Sequence, residues 1–266
     1  MFRFCFILLI VFFLLPFAGC KLAHPFRSLT PGTIRSGELN RQGNAAMVQG
    51  NWEEAEKKLE EAVKISKKDG EVRLHYAEAL WNRGKHEEAL KQLNEALKYG
   101  ENEAIHLSAA EKEFAAGHLE SALRHAEFAV RFAPHNYKGW VVCGNVRRLS
   151  AEKLSNKPLK DNGQNSREYR QLLEQAKSDY YRSLSCPSAD NPSVQQQILP
   201  ELAAAQILCG QNEHALTTYL RLQELYPLDD IPPELLQAKA NVYAAMGRTN
   251  EAETCLKQAQ MLRKVF

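Results

Sequence analysis

Small and apolar residues recur along this chain at helical spacing. Ala55, Leu59 and Ala62 are followed by Ala89, Leu93 and Ala96, then by Ala122, Ala126 and Ala129. Three further blocks keep the phase, the first two with larger residues: Ala176, Tyr180, Ser183; Ala215, Tyr219, Leu222; and Ala252, Leu256, Ala259. Steps of four and three return to one face of an α-helix, so each block predicts a helix buried along a narrow stripe. A second stripe lies upstream, as in Leu39, Gly43 and Ala46, in Tyr76, Ala77 and Leu80, and in Trp140, Cys143 and Gly144. Between the stripes a glycine precedes the alanine by five residues, at Gly50, Gly84, Gly117, Gly210 and Gly247. Glycine ends a helix and permits a tight reversal, so the unit reads helix, turn, helix.

The five alanines of these glycine-marked units are separated by 34, 33, 93 and 37 residues, and Ala176 marks one more copy inside the long gap. Pro134 and Pro227 stop the third and fifth copies. The expected fold is all-α, a solenoid of six helical hairpins over residues 36–262, divided near 36–69, 70–102, 103–136, 137–190, 196–229 and 233–262. Small residues let the two helices of a hairpin approach closely, and Leu and Tyr fill the space between hairpins. One hairpin buries too little surface to be stable alone, so neighbours stabilise one another along the array. The fourth copy is irregular. Arg147 and Ala176 are 29 residues apart where the repeat predicts nine, and the surplus contains Pro158 and Gly163. It predicts a longer interhelical loop near 150–166 with frayed helix ends, either functional or a tolerated insertion.

The period, together with Trp140, Cys143 and Gly144 set close to the W-x2-L-G pattern, resembles the tetratricopeptide family over residues 36–262. The resemblance implies a right-handed superhelix with the first helix of each hairpin lining a concave groove. It also implies that positions 2, 5, 9 and 12 of each copy commonly face a ligand, of which the last three are carried over here. Those positions hold Asn40, Leu74, Leu107 and Val141; then Asn44, Glu78, Glu111 and Asn145; then Met47, Trp81, Phe114 and Arg148. Such a groove, apolar and aromatic in the middle with two carboxylates one repeat apart, suits an extended peptide or a helix with hydrophobic anchors and one basic residue. Packing between hairpins is the competing role for Trp81 and Phe114. Family members that clamp a C-terminal carboxylate place lysine at position 5, and Asn40, Leu74 and Leu107 do not supply it.

The first residues follow other rules. Arg3 precedes an uninterrupted apolar run from Phe6 to Leu15, and Pro16, Phe17, Ala18 and Gly19 lead to Cys20. The run is shorter than the roughly 20 residues of a membrane span. It resembles a bacterial lipoprotein signal, which implies cleavage after residue 19 and a lipid on Cys20; an uncleaved anchor and simple secretion are the alternatives. Lys21 stands where aspartate would signal inner-membrane retention, which favours the outer membrane. Residues 20–35, with two prolines and a glycine, are expected to form a tether, the fifteen after the cysteine reaching at most about 50 Å.

Across 266 residues the net charge is +2, with basic and acidic residues interspersed, so no nucleic-acid partner is expected. No metalloprotease, nucleophile-elbow or phosphate-loop pattern occurs, and no catalytic residue, metal, cofactor or small-molecule substrate is expected. His86, His118 and His214 follow repeat glycines about 10 Å apart, too far to share one ion. Glu53, Glu54, Glu87 and Glu88 fit helix starts, where carboxylates favour the dipole. Cys143, Cys186, Cys209 and Cys255 show no metal or redox spacing and read as free thiols. The sequence thus predicts a lipid-anchored scaffold or adaptor of the bacterial cell envelope that binds a protein or peptide. The alternative is an assembly factor that resembles, in architecture, the six-repeat pilotins of type IV pili.

Overall fold

Thirteen to fourteen residues suffice for each helix between residues 52 and 132, because the next turn signal arrives by then. The computed structural model describes residues 30–263 except 101, 156–163 and 228–229. The signal, Cys20 and most of the expected tether therefore lie outside the described residues. Helices α1 (Pro31–Val48) and α2 (Trp52–Ile65) form the first hairpin, α3 (Gly70–Asn82) and α4 (His86–Tyr99) the second, and α5 (Glu103–Ala115) and α6 (Leu119–Phe132) the third. The fourth pairs α7 (Tyr137–Ser155) with α8 (Gln164–Leu184), the fifth α9 (Pro192–Leu208) with α10 (Asn212–Gln223), and the sixth α11 (Pro233–Ala245) with α12 (Thr249–Arg263). A short 3-10 turn, Pro187–Asp190, leads into α9. Among the described residues there is no strand, and no helix is long and apolar enough to cross a membrane.

The chain starts its first helix earlier than expected. Pro31 occupies the first turn of α1, and the Thr30 hydroxyl accepts from the Thr33 amide, so residues 31–35 belong to the array and not to a tether. Proline at this position loses no hydrogen bond, and threonine caps an amide that would otherwise be orphaned.

Five of the six tips are closed by one backbone motif. At the first, Gly50 has φ +73°, its amide donates to the Met47 carbonyl at 2.9 Å, and the Asn51 amide reaches the Ala46 carbonyl at 2.9 Å. The same pair of bonds recurs at Gly84, Gly117, Gly210 and Gly247, all with φ between +73° and +82°. This is a Schellman cap, which needs a left-handed residue. A Cβ at Gly84 would meet nothing within 4 Å, so the demand for glycine comes from the backbone alone. Gly84→Ala is accordingly expected to cost about 1–2 kcal/mol, and Gly84→Asn less, when urea midpoints are compared.

The fourth hairpin lacks such a cap among the described residues, and the expected loop near 150–166 is shortened at both ends, its middle, 156–163, lying outside the described residues. Residues 150–155 continue α7 and 164–166 already belong to α8, giving helices of 19 and 21 residues. Among the described residues no left-handed glycine follows Arg148 to close the turn there, and buried Ala151 carries the apolar stripe of α7 into its added turns.

Close approach within hairpins rests on missing side chains. A Cβ on Gly43 would lie 2.5 Å from Leu59 Cγ, and one on Gly144 would lie 2.6 Å from Tyr180 Cε1. Consecutive first helices touch one another, α1 with α3, α3 with α5, α5 with α7 and α7 with α9, and no comparable contact joins consecutive second helices among the described residues. Elements that crowd on one side and spread on the other must curve, so the row of first helices forms the concave side.

Candidate functional site

The concave side is built by residues that alternate between neighbouring first helices. At its start, Asn40 and Asn44 on α1 meet His75 on α3, with Asn40 Oδ1 2.9 Å and Asn44 Nδ2 3.3 Å from His75 Nδ1. Burial lowers the His75 pKa, so near neutral pH its ring is uncharged and serves one of these contacts as donor or acceptor, not both. Asn44 Oδ1 is buried and without a partner.

Between α3 and α5 the surface opens into a recess of about 340 Å³, whose lining includes Leu74, Leu107, Ala104, Ser108 and Glu111. Glu78 crosses its floor: Oε1 accepts from Ser108 Oγ at 2.6 Å and from Lys112 Nζ at 2.7 Å. Lys112, nearly buried, also lies 5.8 Å above the Trp81 ring. Glu103, at the rim, accepts from Asn136 Nδ2 at 2.5 Å. Glu111 is half-buried, and burial pushes its carboxyl up against the pull of Lys112 and Lys138.

Further along, the groove is stitched together. Asn145 Oδ1 accepts from the Tyr180 hydroxyl at 2.8 Å. Arg148 donates to Glu152 at 2.5 Å and across to Glu201 on α9 at 2.7 Å. Val141 packs on the cluster around Ala176, Tyr180 and Ile198. Trp81 and Phe114 pack against the buried clusters of the second hairpin and of the third and fourth, and Met47 packs against Ala46, Ala55 and Ala79. The predicted positions therefore divide. Leu74, Glu78, Leu107 and Glu111 converge on one recess, Asn40 and Asn44 sit beside it, Asn145 and Arg148 bind neighbouring helices, and the aromatic pair is engaged in packing.

The sequence pattern did not single out His75, Glu103, Ser108, Lys112, Asn136 or Lys138. A usable signal existed in spacing. Lys112 lies 34 residues after Glu78, and Asn136 lies 33 after Glu103, the separation at which adjacent repeats present equivalent faces.

A larger recess, about 580 Å³, lies outside the groove, where α7 and α8 overhang the tip of the fifth hairpin beside Tyr169, Leu173 and Leu208. The turn histidines are exposed; His118 Nδ1 lies 2.5 Å from Glu113 and His86 stands edge-on to Trp81 at 4.2 Å between ring centres. No group of three metal-ligating side chains converges among the described residues. Cys143, Cys186, Cys209 and Cys255 are free thiols. Burial pushes the Cys143 thiol up to about 12 and raises Cys186 and Cys209 as well. Thiolate is the reactive form, so iodoacetamide at pH 8 should label these three far more slowly in the native protein than in urea, as resolved by peptide mass spectrometry.

Two segments, residues 46–112 and 233–265, match models described as Tetratricopeptide repeat. A search of curated protein sequences finds no match. Among solved structures, PilF of Pseudomonas aeruginosa aligns over 88% of this chain and 94% of its own, with TM-score 0.66 and 15% identity. MamA of Desulfovibrio magneticus RS-1 aligns over 72% and 94%, with TM-score 0.55 and 16% identity. Human IFIT1, solved with m7Gppp-AAAA, aligns over 87% of this chain and 63% of its own, with TM-score 0.55 and 16% identity. At these identities the likeness establishes the fold, an all-helical solenoid of hairpins.

Proposed function

From a chain that carries tetratricopeptide repeats on such a solenoid, we infer a scaffold that holds a protein or peptide along the concave row of first helices and is tied by lipid to the bacterial cell envelope. One observation carries the binding part: Leu74, Glu78, Leu107 and Glu111, on two different helices, line a single recess in that row. Apolar walls with a few placed polar groups are what a polypeptide ligand requires. Repeat solenoids use extended concave surfaces in this way. The anchor is supported by the run from Phe6 to Leu15 followed by Ala18, Gly19 and Cys20. Several acyl chains on one cysteine would hold the protein firmly, whereas a single chain holds weakly. Lys21 after the cysteine supports the outer membrane over the inner.

Photo-crosslinkers at Asn44 and Lys138, in native membranes, test the binding part. Both positions border the recess region without filling a core. One dominant adduct at both, absent from the exposed second-helix position Lys91, supports the groove; equal labelling from Lys91 removes it. If the adduct is a secretin subunit, the pilotin-like assembly role replaces the general scaffold. For the anchor, Cys20→Ala should move the protein from the membrane to the soluble fraction, and an unchanged distribution would refute lipid attachment there.

A further inference from the structure

We propose that the recess between α3 and α5 receives one lysine or arginine side chain of the bound polypeptide, with Glu111 as its counter-charge. The proposal rests on the groove reading above and deepens it.

Most of the charges around the recess already have partners within the protein. Glu78 is neutralised within the protein by Lys112, at 2.7 Å, and accepts a hydrogen bond from the Ser108 hydroxyl, at 2.6 Å. Glu103 has Asn136 as its partner at 2.5 Å. Glu111 has neither: its carboxylate makes no hydrogen bond and no ion pair among the described residues, although it lines the same recess. Lys138 is exposed at the edge and forms no ion pair with it. Weighing Glu78, Glu103 and Glu111 against Lys112 and Lys138 leaves one negative charge, and uncharged His75 does not offset it. An anionic ligand would be repelled here, and a purely apolar one would seal a carboxylate away from water without a partner, which is costly.

Shape agrees with charge. Leu74, Ala104 and Leu107 line the recess beside Glu111. Lysine and arginine present the matching form, a methylene stem that covers apolar surface and a cationic tip that seeks a carboxylate. Glu111 is half-buried, so the fold has already removed part of its water, and this burial raises its pKa. The ligand's cation therefore meets a carboxylate with less solvation to lose than a fully exposed one. Arginine would in addition find both oxygens open for two parallel hydrogen bonds.

The test uses the detergent-solubilised full chain and a displayed library of random peptides, with selected peptides competed against crosslinking from Asn44. The expected result is enrichment of one lysine or arginine next to apolar residues. Glu111→Gln, which keeps size and shape, should weaken a selected peptide by about tenfold or more while leaving the melting temperature unchanged. Replacing the peptide's basic residue with norleucine should weaken binding to the parent protein similarly, and should cause little further loss with Glu111→Gln. Peptides that compete for the groove without a basic residue, or that ignore Glu111→Gln, overturn the pocket and leave the groove standing. If no selected peptide competes with the Asn44 crosslink, the groove reading falls and the pocket falls with it.

Discussion

An Arg147→Met variant is expected to lose about 3–5 kcal/mol of stability at pH 7, seen as a lower urea midpoint. Arg147 pairs with Asp179 across the fourth hairpin and with Glu127 on α6 at 2.5 Å. The Asp179 side chain is only 4% exposed, and that of Arg147 14%. Methionine would leave a buried carboxylate without its cation. The loss should also depend on pH in a defined direction. Burial already pushes the Asp179 carboxyl up, and the Arg147 guanidinium opposes it. Removing the cation sends the folded pKa higher still. A carboxyl whose folded pKa is raised favours the fold when protonated, so its stabilising effect is lost as pH rises through that folded value. The variant should therefore regain stability on acidification toward the unfolded value of about 4, measured relative to the parent at each pH. Adding Asp179→Leu should recover most of the loss at pH 7, because a buried pair replaced on both sides is close to neutral. A pH-independent deficit would mean that lost packing, not the stranded charge, sets the effect.

The second large effect is expected at Tyr180, the largest fully buried side chain among the described residues. Tyr180→Ala should cost about 3–5 kcal/mol, since it empties the contact with α7 and strands Asn145 Oδ1. Gly144→Ala alone should cost about 1–3 kcal/mol, because its Cβ would press within 2.6 Å of the ring. Together the two should not add. With the ring gone, an alanine at 144 occupies part of the cavity, and its own cost should vanish or reverse. A double-mutant cycle from urea melts measures this coupling, expected at about 1–3 kcal/mol. Additive losses would show that helix spacing here is not set by the glycine facing the tyrosine.

Much of the architecture was legible because two physical demands leave clear residue signatures. A left-handed helix end calls for glycine, and the five repeat glycines are the five with positive φ among the described residues. Tight helix pairing calls for small residues, and Ala55, Ala89 and Ala122 are fully buried. The fourth hairpin was less legible, since a polar stretch carrying Pro158 and Gly163 resembles a loop, while the helices run to Ser155 and resume at Gln164. Burial of Ala151 and Leu173 overrides the weak local preference there. The start of α1 was missed for a related reason: Pro31 reads as a breaker, yet proline fits the first turn of a helix. For the groove, repeat position was enough to gather Leu74, Glu78, Leu107 and Glu111, but blind to pairing. Position within a single helix does not show that Glu78 is taken by Lys112 while Glu111 is left open; only the 34-residue spacing between repeats carries that signal. Trp81 and Phe114 stood out for their size, and size serves packing as readily as binding.

The one-sided contact between first helices has a mechanical meaning. Packed side chains resist a change in spacing, and like helices pack directly on one another along the inner row of α1, α3, α5, α7 and α9. Flexing the array should fan the second helices apart or bring them together while the spacing along the inner row changes little. A ligand lying on that row sits on the spine of a spring: it can stay seated while the outer face widens and narrows around it.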